Sequence, residues 1–131
     1  MNKISAVIIT YNEAANLGRC LQSLVAVADE LLVVDSFSTD GTVKIAESYG
    51  AKFVQHTFEG HIEQKNYAQS LAQHTWVLSL DADEALSDEL AANIRAWKNW
   101  PNDNTNGYTF NRLNFYCGRA IKTCGWYPDK K

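Results

Sequence analysis

T-W-V-L-S-L-D-A-D-E-A-L, residues 75–86, runs apolar and then turns acidic within one short stretch. Trp76-Val77-Leu78-Ser79-Leu80 is long enough for one buried strand, and Asp81, Asp83 and Glu84 close it. A strand covered on both faces cannot carry unpaired charges inward cheaply. The carboxylates therefore belong just past its carboxyl end, where open α/β sheets bind ligands. Two aspartates separated by one residue can point the same way and share a hard divalent cation. On its own the stretch fits a plainer reading at least as well, an acidic loop that only caps the next helix.

Working outward, the chain repeats the same strand-then-polar pattern. Ile4–Thr10, I-S-A-V-I-I-T, is β-branched and almost continuously apolar, and Tyr11-Asn12-Glu13 breaks it. Asn12 is expected to cap a helix over Ala14–Leu24, with Ala14, Leu17, Leu21 and Leu24 on its inner stripe. Glu30–Asp35 is a second buried-type strand ending in a carboxylate, followed by the polar turn Ser36–Asp40. A helix over Gly41–Tyr49 stops at Gly50. Lys52–Gln55 is a third strand, and His61–Gln73 a helix with Ile62, Tyr67 and Leu71 facing inward. Strand four follows at Thr75–Leu80. Ser87 then caps a helix that runs to about Trp100 and is stopped by Pro101. Gly107–Cys117 resumes as strand, and Gly118–Lys131 has little pattern. Strand–helix alternation at this spacing predicts a mostly parallel sheet in a three-layer α/β/α arrangement, a Rossmann-like nucleotide-binding domain.

Bulk properties bound the function. The chain has 131 residues, 46% hydrophobic and 21% charged, enough for one domain with a real core. A net charge of −3 without blocks of like charge does not point to nucleic acid or an anionic membrane. No apolar run approaches the roughly 20 residues of a membrane span, and Met1-Asn2-Lys3 leads straight into a strand, so no secretory leader is expected. Cys20, Cys117 and Cys124 make an odd set without a C-x-x-C pair, which fits a reduced, cytoplasmic protein.

Polar residues gather at three strand ends: Thr10-Tyr11-Asn12-Glu13, Asp35-Ser36 and Asp81-Ala82-Asp83-Glu84. A parallel sheet brings those ends to one edge. A convergent acidic edge calls for a cation, and a metal-bound diphosphate supplies one. Lys65 and Asn66 would add a cationic and an amide contact, although Lys65 alone also reads as a solvated helix-face lysine. Other signatures are absent. The first loop has neither G-x-G-x-x-G nor a P-loop, the acidic loop lacks EF-hand spacing, no G-x-S-x-G elbow occurs, and His56, His61 and His74 lack metal-ligand spacing.

Four segments taken together, V-I-I-T-Y-N-E-A-A-N-L, L-L-V-V-D-S-F-S-T-D-G-T, Q-K-N-Y-A and W-V-L-S-L-D-A-D-E, resemble glycosyltransferase family 2. The S-L-D-A-D-E form and the closing G-W-Y-P-D-K-K look like its lipopolysaccharide-core β-1,4-glucosyltransferase subgroup. The resemblance implies the GT-A fold and inverting sugar transfer from a nucleotide diphosphate. It implies that Thr10, Tyr11 and Glu13 line the base and ribose of a UDP-sugar, with Asp35 near the uracil. Ser36 stands where family members often have a second aspartate. Asp81 would approach ribose or metal, Asp83 would ligate Mg2+ or Mn2+, Lys65 would meet the diphosphate, and Glu84 would meet the sugar or support from behind. The subgroup likeness further implies glucose as the sugar and a glycan or glycolipid acceptor, reached in the cytoplasm at the inner face of the membrane by peripheral contact.

The resemblance covers the donor half of the family's domain. An inverting transfer needs a base for the acceptor hydroxyl, and that base is expected beyond Lys131, in an acceptor region that residues 1–131 lack. A binding-only nucleotide-sugar module and a nucleotidyltransferase stay open as alternatives, the latter usually marked by a Gly-rich first loop that this chain lacks.

Overall fold

The computed structural model describes residues 2–99, together with the strands Leu113–Tyr116 and Arg119–Lys122. The chain divides into two compact units, Met1–Pro101 and Asn102–Lys131. In the first, the elements run β1 (Ile4–Thr10), α1 (Leu17–Leu24), β2 (Glu30–Asp35), α2 (Thr42–Ser48), β3 (Lys52–Gln55), α3 (His61–Ser70), β4 (Trp76–Asp81) and α4 (Asp88–Trp97). All strand pairs in this sheet are parallel, in the order β3-β2-β1-β4. The chain steps outward from β1 to β3 and returns to the other side of β1 as β4. The strand order thus reverses at β1/β4, the position where open α/β sheets form a ligand crevice.

Strand alternation divides the core between two faces. Val7, Leu32 and Val34 form one cluster with Ala68 of α3, and Tyr67 and Leu71 pack against it. The apolar stripe of α1 (Leu17, Cys20, Leu21, Leu24) is buried, and α1 packs against α2 and α4. The predicted three-layer sheet is therefore present. Ser87 caps α4 by accepting from the Leu90 N–H at 3.1 Å, as its position predicts. Gly50, at φ 73, ends α2 in the left-handed region that favours glycine.

Three expectations are corrected. Asn12 does not cap α1; it sits at φ 51, its side chain serves a neighbouring loop, and the helix begins only at Leu17. Ile62 is not on the inner face of α3: it is 73% exposed, while Gln64 is buried at 1%. Hydrogen bonding decided that orientation, because two loop groups beneath the helix take up the Gln64 amide. Within Gly118–Lys131, expected to have little pattern, the described residues form β6 (Arg119–Lys122), which pairs antiparallel with β5 (Leu113–Tyr116) in a separate two-stranded sheet. The expected end of the fourth helix at Trp100 and Pro101, and the rest of the Gly107–Cys117 strand, lie outside the described residues.

Candidate functional site

The carboxyl ends of β1, β2 and β4 carry the predicted residues, and the parallel register sets them side by side. Thr10 is opposite Asp35 and Ile9 is opposite Asp81. Thr10 donates its hydroxyl to Asp35 Oδ1 at 2.7 Å. Asp35 is fully buried, and it also accepts from the Ser38 hydroxyl and, at 2.7 Å, from the Ser38 N–H. A buried carboxylate is costly unless its oxygens are satisfied. Asp35 meets that condition within the chain, and in doing so it folds the Ser36–Thr39 turn over the end of β2.

The first two strand–helix loops are knitted into one platform. The Asn12 N–H donates to Ser38 Oγ at 2.7 Å, and Asn12 Oδ1 accepts from the Thr39 N–H at 2.8 Å. The Glu13 N–H donates to Thr42 Oγ1 at 3.1 Å, and the Ala14 N–H to Asp40 Oδ2 at 3.1 Å. Asp40 also accepts from the Thr42 hydroxyl and N–H, and these bonds hold its carboxyl below the usual range. Tyr11 stands on this platform 62% exposed and Phe37 53% exposed. Among the described residues, Asn12 and Phe37 are the non-glycine positions with positive φ, and both lie on this edge.

On the other side of β1, Lys65 of α3 pairs with Asp81 at 3.2 Å, both side chains partly exposed. Glu84 folds back so that its Oε1 accepts from the Asp81 N–H at 2.8 Å, while the Glu84 N–H returns a bond to the Asp81 carbonyl at 2.9 Å. That closes the loop into a tight turn with Ala82 buried and Asp83 exposed. Ser36 accepts from Gln64 Nε2 at 3.1 Å. Gln64 Oε1 also meets His56 Nδ1 at 2.9 Å, and the His56 ring stacks on Tyr67 at 3.7 Å. Burial pushes the Cys20 thiol behind the loop up to about 12, with Glu84, Asp81 and Asp83 adding to the rise and Arg19 opposing it.

The structure thus joins Thr10 to Asp35 and Lys65 to Asp81, and it ties Ser36 to α3. The Glu13 carboxylate accepts from Asn16 Nδ2 at 3.4 Å, at the start of α1, and Glu84 is turned toward its own loop. Sequence reasoning missed Ser38, Asp40, Thr42, Gln64 and Arg19. The first three stand in the quoted S-F-S-T-D-G-T stretch, where turn-forming side chains are a visible signal. Gln64 and Arg19 carry no such signal.

A divalent cation can be tested against these side chains. Asp83 is exposed and is separated from Asp81 by one residue, the buried Ala82. No group of three or more His, Cys, Asp or Glu able to hold a metal occurs among the described residues. One or two carboxylate ligands, with water and phosphate oxygens completing the shell, is how Mg2+ is commonly bound beside a nucleotide. The residues fit an ion that arrives with a diphosphate.

The family model for glycosyl transferase family 2 matches residues 5–118. The chain belongs to that family. An uncharacterized glycosyltransferase of Rickettsia felis is 51% identical over 94 residues, covering 72% of this chain and 33% of the relative. A lipopolysaccharide core biosynthesis glycosyltransferase, LpsC of Rhizobium meliloti, is 39% identical over 92 residues, covering 66% of this chain and 34% of the relative. The chain spans about a third of the length of the curated relatives it matches. Among solved structures, S. aureus TarS in complex with UDP-GlcNAc matches with a TM-score of 0.59 and 29% identity, covering 72% of this chain and 30% of that one. Glucosyl-3-phosphoglycerate synthase of Mycobacterium tuberculosis, in complex with Mn2+, UDP and glucosyl-3-phosphoglycerate, matches with a TM-score of 0.57 and 25% identity, covering 64% and 36%. The family 2 chain accordingly has the GT-A fold that its sequence predicts. No helix among the described residues is long and apolar enough to cross a membrane.

Proposed function

We propose that this chain forms the donor site of an inverting, metal-dependent sugar transferase that uses a UDP-sugar. One observation carries the reading: the exposed Asp83 beside the Lys65–Asp81 pair, across β1 from the loop platform that presents Tyr11. A uridine would lie on the platform side, over Thr10, Tyr11, Glu13 and the turn of Ser36 that Asp35 holds. Its diphosphate would cross to the β4 side. There Lys65 offers a cation, Asp83 would hold Mg2+ or Mn2+, and Asp81 would share the ion or meet the ribose. When bound, that ion would neutralise charge developing on the leaving diphosphate. Lys65 contributes in the same sense, and Glu84 keeps the loop closed where the sugar would project. Glucose as the sugar, and lipopolysaccharide core or a related glycan at the inner membrane face as the acceptor, extend the proposal. The lipopolysaccharide-core acceptor is supported by the likeness to LpsC, and glucose by the likeness to glucosyl-3-phosphoglycerate synthase. The free, buried Cys20 fits a reducing cytoplasmic setting.

Calorimetry tests the donor site. UDP should bind more tightly with Mn2+ than without it, and Asp83→Ala should remove that gain, a loss of about tenfold or more. No UDP binding in the presence of Mn2+ would overturn the proposal. Coverage of about a third of the relatives' length favours a second reading, in which this chain alone holds the donor and turns nothing over. Sugar transfer or hydrolysis of UDP-glucose by the chain alone would remove that second reading.

A further inference from the structure

One face of α1 reaches the acidic loop with three side chains. Arg19 Nη2 donates to the Asp83 carbonyl at 2.9 Å, and the Cys20 thiol points at the Asp81 carbonyl at 3.7 Å. Ser23 Oγ accepts from the Leu86 N–H at 3.0 Å while donating to the Cys20 carbonyl at 2.7 Å. Positions 19, 20 and 23 are neighbours on a helix, as i, i+3 and i+4 spacing requires. All three contacts fall on backbone atoms of the loop, so they leave the Asp83 carboxylate available. The loop is also pinned from inside, with Ala82 and Leu86 buried on either side of the exposed Asp83. Of the three contacts, the one from Arg19 is charge-assisted, and it falls on the backbone of the residue placed to hold the metal.

We infer that Arg19 is a positioning residue of the donor site: its guanidinium fixes the Asp83 peptide so that the carboxylate is already aimed when metal and diphosphate arrive. Ser23 and Cys20 secure the two ends of the same loop. The inference rests on the donor-site reading above and deepens it by assigning α1, outside the sheet edge, to the metal loop. Holding a ligand's backbone removes the entropy of ordering it at binding, which is the usual gain from preorganisation.

The test is UDP titration of the 131-residue chain with and without Mn2+, in wild type, Arg19→Met and Arg19→Lys, with a melting curve for each. Arg19→Met should lose about tenfold in the affinity gained from Mn2+, the scale seen when a metal ligand loses its supporting partner. Its metal-free UDP affinity should stay within about twofold, because the platform side is untouched. Arg19→Lys, which keeps the charge and a donor, should recover part of the loss. If Arg19→Met keeps the full Mn2+ gain, or loses metal-free and metal-dependent affinity alike, the positioning role is wrong. If wild type shows no Mn2+ gain, the donor-site reading fails and takes this inference with it. Should Arg19→Met unfold, Arg19→Lys and Ser23→Ala carry the same comparison, and an undiminished Mn2+ gain in both overturns the role.

Discussion

Phe37 holds a backbone conformation, φ 60, that a bulky side chain adopts only with strain, and it does so with its ring half in solvent. The neighbours dictate this: Ser38 must donate its N–H and hydroxyl to Asp35, which forces the turn to double back at the preceding residue. Such strain costs about 1–2 kcal/mol, whereas glycine would lose about 0.5–1 kcal/mol through its greater freedom in the unfolded chain. Phe37→Gly should therefore raise the melting temperature by about 3 °C. A fall in a thermal melt would show that the ring contributes more packing than its exposure implies. At this scale the sequence was partly legible. Thr10, Asp35 and Asp81 follow from the rule that polar residues ending buried strands meet at one edge. The misplacement of Asn12 has a definite cause: its side chain has two candidate partners, the start of α1 and the Thr39 N–H, and only the folded pairing of loops shows which one takes it.

Among the elements, α3 shows most plainly where an apolar pattern misleads. Its inner face carries Gln64, Tyr67, Ala68 and Leu71, and Ile62 points to solvent. Reading apolar positions alone places Ile62 inside. What turns the helix is the Gln64 amide, which bonds Ser36 Oγ at 3.1 Å, the His56 carbonyl at 3.4 Å and His56 Nδ1 at 2.9 Å. That latch joins the ends of β2 and β3 to the helix whose next residue, Lys65, faces Asp81. Gln64→Leu leaves these loop groups without their partner and should destabilise the chain by about 2–3 kcal/mol in urea unfolding. Ile62→Lys, on the exposed face of the same helix, should stay within about 0.5 kcal/mol. Equal losses in the two variants would contradict the observed orientation of α3. The strands and the Ser87 cap were legible because each rests on a local signal. The Gln64 latch joins segments that only the fold brings together.

Across the first unit, carboxylates stand at both edges of the sheet. At the carboxyl edge Asp81 and Asp83 face the proposed ligand, whereas at the amino edge Asp29 and Glu30 hold the frame. Asp29 accepts from the Ile4 N–H at 2.8 Å and pairs with Lys98 at 2.8 Å, and Lys98 also donates to the Val27 carbonyl at 2.9 Å. Glu30 accepts from the Ser5 hydroxyl at 2.7 Å and the Gln73 N–H at 3.0 Å. These few groups tie β1, the α1–β2 connection, the approach to β4 and the end of α4 together. Partial burial works to raise both carboxyls, but for Asp29 the Lys98 and Ile4 bonds, and for Glu30 the Gln73 and Ser5 bonds, outweigh it and hold them low. A carboxyl whose folded value is depressed binds fewer protons folded than unfolded. Its stabilisation is therefore present above the unfolded value, about pH 4, and is lost as pH falls through the lower folded value. Melting temperature should hold level from pH 7 to about 5 and fall below about 4. Asp29→Asn should lower stability at pH 7 by about 1 kcal/mol, modest because the pair is partly exposed. It should also flatten the acid limb, so that the two curves converge at low pH. Curves displaced by the same amount at every pH would mean that the shape of Asp29, not its charge, holds this edge.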